Sequence, residues 1–152
     1  MANYATNSIG YDLSFELNEF NEPRLKSELE LIKDVILYVL FAKPGQYPSL
    51  PMIGMDIARR LYSHYDELDP DELKDELIAQ CKALGTYIDS GMVSIIKTKY
   101  HDQPSLLIHI EGKEKFPDGY MSDKVGNSAQ YLIGITFDEL DQMVYNINRR
   151  EI

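Results

Sequence analysis

The residues of this chain that are best suited to catalysis are the carboxylates of one short acidic stretch. Its members are Asp66, Glu67, Asp69, Asp71, Glu72, Asp75 and Glu76. Two carboxylates in unlike environments are the machinery of glycoside hydrolysis. This stretch, however, surrounds a helix start, where acids act as caps and interact favourably with the helix dipole. Capping and solvation therefore account for it, and we expect no catalysis there.

The histidines and the single cysteine show no spacing typical of a metal or nucleophile site. His64, His101 and His109 lack metal-ligand spacing, and Cys81 lies on the apolar stripe of a helix. No nucleophile elbow, phosphate-binding loop or dinucleotide fingerprint occurs. We therefore expect surface or hydrogen-bonded histidines, a core cysteine, no cofactor, no metal and no enzymatic activity.

Composition limits the class of protein. A chain of 152 residues with 44% hydrophobic residues fits one domain with its own core. One cysteine favours a reducing compartment. The first twenty residues lack signal-peptide features, and the apolar run Val35–Ala42 is too short to span a bilayer. A net charge of −10 argues against nucleic-acid partners and is compatible with basic protein partners.

Helix signals dominate the first part of the chain. Residues 1–21 carry no helical period and predict an N-terminal arm, followed by one domain over residues 22–152. A first helix is predicted to start at Pro23 and to end before Pro44. A short helix follows Asp56, and Asp69-Pro70 starts a third that ends at Gly85.

The second part of the chain has strand character. Runs around Val93 and over 106–110 predict a hairpin with its turn at 101–104, and Gln130–Thr136 predicts a third strand. Thr136 and Glu139 form a capping-box pattern for a last helix. The predicted fold is α+β, with helices first, then a short antiparallel β-sheet and a C-terminal helix.

A loop rich in proline and glycine, Lys43–Asp56, joins the first two predicted helices. Proline lowers the entropy lost on ordering, and glycine permits unusual backbone angles, so the composition predicts a rigid loop of fixed shape. The chain also has eleven tyrosines and no tryptophan. Several tyrosines fall in the predicted arm and loops, which favours an assembly surface.

The loop and its flanking elements resemble a known family, the small baseplate wedge proteins or sheath initiators of contractile phage tails. That family is related to a baseplate component of type VI secretion systems and was formerly labelled lysozyme-like. The residues that carry the resemblance are Lys43, Pro44, Gly45, Pro48, Pro51, Gly54 and Asp56. The order of elements from about Leu25 to Ile110 is also similar.

The resemblance implies a structural role in the virion, at the tail baseplate, with assembly in the host cytoplasm. The implied partners are baseplate wedge proteins, the tail sheath protein and the tail tube protein. Sheath assembly would begin by β-augmentation, in which a partner strand joins an exposed sheet edge. The candidate strand residues are Val93, Ile95, Lys97, Leu106, Ile108 and Ile110, with Gln130–Thr136 as an alternative.

One departure from the family and two rival functions remain. Where the family commonly carries Glu-Pro-Arg after its long second helix, this chain has Gly85-Thr86-Tyr87, which we interpret as a partner contact. The Glu22-Pro23-Arg24 triplet is interpreted as a helix start. The first rival is an acidic protein-binding module that inhibits a host regulator. The second is a cell-wall hydrolase that uses Asp69 and Glu72, for which we expect no activity.

Overall fold

The protein folds as helices packed on one face of an antiparallel sheet. The structure is a computed structural model that describes residues 13–17, 23–116, 126–137 and 143–151. Its α-helices and β-strands are β1 (Leu13–Leu17), β2 (Pro23–Leu25), α1 (Glu28–Phe41), α2 (Ile57–Ser63), α3 (Pro70–Ala83), β3 (Val93–Tyr100), β4 (Gln103–Lys113), β5 (Ser128–Phe137) and β6 (Met143–Glu151). β1 pairs with β2, and the four-stranded sheet has the order β3-β4-β5-β6.

The helices precede the four-stranded antiparallel sheet, as predicted, but the predicted C-terminal helix is wrong. Residues Met143–Glu151 instead form β6, which pairs antiparallel with β5. Thr136 belongs to β5, and its hydroxyl accepts a hydrogen bond from Ser105 (2.8 Å). Glu139 lies outside the described residues. The alternation that places Ile147 against the core is a strand pattern, and pairing with β5 favours it over the local capping signal.

The predicted start of the first helix is also wrong. Residues Pro23–Leu25 form β2, and α1 begins after Ser27, whose hydroxyl accepts a hydrogen bond from the backbone N–H of Glu30 (3.2 Å). Ser27 and Glu30 have the capping-box spacing, which explains why the helix starts there. Leu13–Leu17, within the predicted arm, pairs with β2. The remainder of the arm lies outside the described residues.

The boundaries of α2 and α3 follow the predicted signals. Asp69 caps α3 by accepting a hydrogen bond from the backbone N–H two residues on (3.0 Å), and Pro70 is the first helical residue. Gly85 follows the end of α3 with φ of 87°, as the sequence predicted. Asp56 occupies the N-cap position of α2, but its carboxylate binds Arg59 instead of a backbone N–H.

The core lies between the helices and one face of the sheet. α1 and α2 pack against β4, and α3 packs against β3 and α1. Buried aliphatic side chains repeat at helical spacing on the helices and at every second residue on the strands, as amphipathic elements require. The buried residues of α1, α3 and β4 include Leu29, Ile32, Ile36, Leu40, Leu73, Leu77, Leu106, Ile108 and Ile110.

Candidate functional site

The strand order decides which of the predicted augmentation strands has a free edge. β4 and β5 are interior strands that pair on both sides, so neither can accept a further strand. This excludes Gln130–Thr136 as an edge. Leu106, Ile108 and Ile110 are buried in the core beneath the sheet. Of the strands predicted for augmentation, β3 is the one that lies at an edge of the described sheet. Val93, Ile95 and Lys97 lie along it.

The hairpin turn between β3 and β4 sets which backbone groups of β3 face outward. Both turn residues, His101 and Asp102, have positive φ (49° and 61°), as a type I′ turn requires. Tyr100 pairs directly with Gln103 across this two-residue turn and so forms a hydrogen-bonded pair. Hydrogen-bonded pairs alternate, and therefore the N–H and C=O groups of β3 residues 95, 97 and 99 point away from β4.

The side chains along β3 make this edge basic and hold it in place. Lys97 donates from Nζ to the carbonyl oxygen of Leu68 (3.1 Å) and lies 4.8 Å from the centre of the Tyr65 ring. The Tyr65 hydroxyl donates to the carbonyl oxygen of Thr98 (2.6 Å). Burial, with a smaller effect of a neighbouring carboxylate, raises the pKa of Tyr65, so this donor stays protonated. Lys99 is exposed, and β3 contains no acidic residue.

The other outer strand of the described sheet is β6, which the sequence had not predicted. Phe41 at the end of α1 stacks against Tyr145 with ring centres 5.0 Å apart. Arg149 donates from Nη2 to Oε1 of Glu114 (2.6 Å), and Glu114 is fully buried. The ion pair anchors β6 to the residue that follows β4. The clue in the sequence was the alternation of residues 145–149.

The Lys43–Asp56 loop has a base that is bound to two helices. The N–H groups of Met55 and Asp56 donate to the carbonyl oxygens of Val39 and Ala42 at the end of α1 (2.9 Å each). These are carbonyls that a helix end leaves unpaired. The loop therefore completes the C-terminal end of α1.

Gly54 is the residue on which the closure of this base depends. Its N–H donates to the side-chain oxygen of Gln80 on α3 (2.7 Å), and its carbonyl accepts from the Gln80 amide (3.4 Å). Its φ is 127°, and a Cβ there would lie 2.6 Å from the carbonyl oxygen of Ala42. Only glycine fits this close approach. The loop motif in the sequence includes Gly54, whereas no local pattern indicates Gln80, which lies 26 positions away.

The tip of the loop, defined here as residues Pro48–Met52, projects apolar side chains into solvent. Met52 is 84% exposed and Leu50 is 44% exposed. The chain turns twice here, with hydrogen bonds from Leu50 N–H to the Tyr47 carbonyl (3.0 Å) and from Ile53 N–H to the Leu50 carbonyl (3.1 Å). The predicted motif residues Pro48 and Pro51 are both exposed on the tip.

Two tyrosines link the loop to the outer side of α1. The ring centres of Tyr38 and Tyr47 lie 5.2 Å apart, and Tyr38 is 43% exposed. The side-chain hydrogen bond with Tyr47, with a smaller contribution from desolvation, raises the pKa of Tyr38 to about 12. Both tyrosines flank the loop tip with rings of the kind that favour protein interfaces.

The segment Gly85-Thr86-Tyr87, predicted as a partner contact, forms the end of α3. The N–H groups of Gly85 and Thr86 donate to the carbonyls of Lys82 and Cys81 (2.9 Å each), which is a Schellman motif. Thr86 is buried, and Tyr87 is partly exposed. Lys82 Nζ lies over the Tyr87 ring, 5.8 Å from the ring centre. Gly85 and Thr86 therefore serve the fold, and the Tyr87 ring is the accessible part.

The three histidines and Cys81 have separate surroundings. His109 is hydrogen bonded to Gln130 (2.6 Å), whereas His64 and His101 are exposed at separate turns. Burial raises the pKa of the Cys81 thiol to about 12, which disfavours the reactive thiolate. Within the part of the chain that the structure describes, no group of three or more His, Cys, Asp or Glu residues is placed to hold a metal.

Comparisons with known proteins identify no relative of this chain, so a function has to be proposed from the geometry. The chain matches no family model, no curated protein and no solved structure. Among the described helices, none has the length and apolar character needed to cross a membrane. The β3 edge and the Lys43–Asp56 loop are therefore the two candidate sites for binding a partner.

Proposed function

We propose that this protein is a structural component of the baseplate of a contractile phage tail, which joins wedge and tube and starts sheath assembly by β-augmentation. The observation that carries the proposal is the outward-facing backbone of β3. A strand from the sheath protein would hydrogen bond to the free N–H and C=O groups of residues 95, 97 and 99. The motif residues of the Lys43–Asp56 loop supply the family resemblance.

The environment of β3 supports strand addition from a different protein. The Lys97 and Tyr65 side chains tie the strand to the residues between α2 and α3, so the edge needs little ordering when a partner binds. Lysines on an edge strand oppose pairing between identical copies, because like charges would face one another. The same positive charge favours a partner strand that carries acidic residues.

The test uses the purified chain and a tail sheath protein from the same genome. Substituting Lys99→Pro removes one outward N–H without removing a β3–β4 hydrogen bond, because Lys99 is not in a hydrogen-bonded pair. We expect the wild type to bind the sheath protein and Lys99→Pro to bind about tenfold more weakly, the effect of one lost hydrogen bond with local distortion.

The matched control is Lys99→Ala, which removes the charge and keeps the N–H. A smaller loss for Lys99→Ala than for Lys99→Pro would assign the binding to the backbone. Equal losses would assign it to charge alone and count against augmentation at β3. If the folded wild type binds neither the sheath protein nor the wedge proteins, the proposed function is wrong.

One observation favours a second candidate, the acidic module that inhibits a host regulator. The stretch around the start of α3 exposes Asp66, Glu67, Asp71, Glu72 and Asp75 to solvent. A basic surface on a regulator would be attracted to it. Neighbouring genes discriminate the two candidates, since tail tube, sheath and wedge genes favour the baseplate role. Charge reversal within the acidic stretch also discriminates them. If the protein is the inhibitor, the change abolishes inhibition. If the protein is the baseplate component, the change leaves sheath binding intact.

A further inference from the structure

The tip of the Lys43–Asp56 loop exposes two apolar side chains that do not contribute to the core. Met52 and Leu50 are exposed by 84% and 44%, and neither belongs to the core. We propose that the tip inserts into an apolar pocket of a partner protein, and that a carboxylate on the rim of that pocket faces Lys43. The surface is separate from the β3 edge and gives the protein a second contact.

The loop is ordered before it binds, which is what an insertion element needs. Gly45 N–H donates to the Pro51 carbonyl (2.9 Å), so the two sides of the tip are joined by a backbone hydrogen bond. Gln80 holds Gly54 from the opposite helix. Because the tip is already fixed, binding loses little conformational entropy, and burial of Leu50 and Met52 is converted more fully into affinity.

The shape of the tip excludes one common mode of proline recognition. Pro48 and Pro51 have the P-x-x-P spacing that is bound by aromatic grooves in an extended polyproline conformation. Here the segment contains two consecutive turns closed by hydrogen bonds to the carbonyls of Tyr47 and Leu50. A concave apolar pocket fits this turned tip, whereas a groove for an extended peptide does not.

Charge selects the partner among the surfaces that could cover the tip. No acidic residue occurs between Asp34 and Asp56, so the loop tip carries no carboxylate of its own in a chain with a net charge of −10. Lys43 is exposed and makes no ion pair with the residues that the structure describes. A carboxylate on the partner would complete that pair. Two copies of so acidic a chain repel one another, and an anionic membrane repels the chain for the same reason.

The choice of probe rests on the proposed function, so the test uses baseplate wedge and tail sheath proteins from the same genome. The double variant Leu50→Ser/Met52→Ser removes the apolar side chains of the tip. We expect it to bind the wedge protein about 30-fold more weakly, the effect of losing one interface hot spot. Lys43→Glu is expected to weaken the same complex about fivefold at low salt.

The matched control is Tyr62→Ser, which removes a large side chain that is 65% exposed on α2, outside the loop. It should bind both probes as the wild type does. Circular dichroism establishes that every variant is folded. This is expected of the tip variants because their side chains lie outside the core, and of Tyr62→Ser because its ring, which contacts Phe137 at 5.5 Å, is mostly exposed.

The outcomes separate the two proposals. Loss of wedge binding by the tip variant, with sheath binding retained, supports the inference. If the tip variant binds the wedge protein as tightly as the wild type, the inference is wrong while the proposed function stands. If the wild type binds neither probe, both are overturned. Tip-dependent self-association in sedimentation velocity, or tip-dependent flotation with phosphatidylcholine vesicles, would assign the tip to another occupant and overturn the inference.

Discussion

Replacing Gly54 by alanine is the most direct perturbation of the loop base. The new Cβ would lie 2.6 Å from the carbonyl oxygen of Ala42 and 2.7 Å from the carbonyl carbon of Lys43. Both atoms are backbone at the end of α1, so neither can rotate away as a side chain would. The φ of 127° is itself one that alanine rarely adopts.

The expected magnitude follows from two costs. Backbone strain at such a φ costs about 2 kcal/mol. Relief of the clash requires Gly54 to move away from α1, which breaks its two hydrogen bonds with Gln80. Those hydrogen bonds contribute about 1 kcal/mol each. The free energy of unfolding should therefore fall by about 4 kcal/mol, a large share of the stability of a typical domain.

Urea unfolding followed by circular dichroism measures this loss, and Gly45→Ala is the matched control. Gly45 also has a positive φ (83°), but a Cβ there would meet nothing within 4 Å. It should cost about 1 kcal/mol from backbone strain alone. With a slope of about 2 kcal/mol per molar urea, Gly54→Ala lowers the midpoint by about 2 M. A Gly54→Ala loss within 1 kcal/mol of that of Gly45→Ala would refute the close-approach argument.

Three further predictions concern the ion pairs and the thiol. Arg149→Met should destabilise the fold by about 3 to 5 kcal/mol in urea unfolding, because it leaves Glu114 buried without the Arg149 guanidinium. Adding Glu114→Leu should recover most of this loss, and a double variant no more stable than Arg149→Met contradicts the prediction. Arg60→Ala should cost only about 1 kcal/mol, since the bidentate pair with Glu76 is part-exposed, and the loss should shrink in 1 M salt. Cys81, whose pKa burial raises to about 12, should resist iodoacetamide at pH 8 until urea unfolds the chain; native labelling at the unfolded rate would place the thiol outside the core.

The sequence predicted those elements whose signals are local. Asp69-Pro70 and Gly85 mark the two ends of α3, because a cap, an N-terminal proline and a left-handed glycine each act within one helical turn. The start of α1 was misassigned because Pro23 gives the same kind of signal as Ser27, and only pairing with β1 makes Pro23 part of a strand.

Elements that depend on distant partners could not be predicted in this way. The capping pattern at Thr136 is a valid helix signal, and β6 forms instead because pairing with β5 and the ion pair of Arg149 with Glu114 favour a strand. The same limit applies to the candidate site. Periodicity identified β3 and β4 as strands, but the strand order, which makes β3 an edge, depends on pairings far apart in sequence. The Gln80 contact with Gly54 has no local signal.

The division of the Lys43–Asp56 loop into a bonded base and a projecting tip has a consequence for how the protein can evolve. The tip is closed by backbone hydrogen bonds, which most replacements of its exposed side chains leave intact. Gly54 and Gln80, by contrast, tolerate little change. Positions 49, 50 and 52 are therefore free to drift with the surface of a partner, so recognition can diversify between lineages while the scaffold that presents it stays constant.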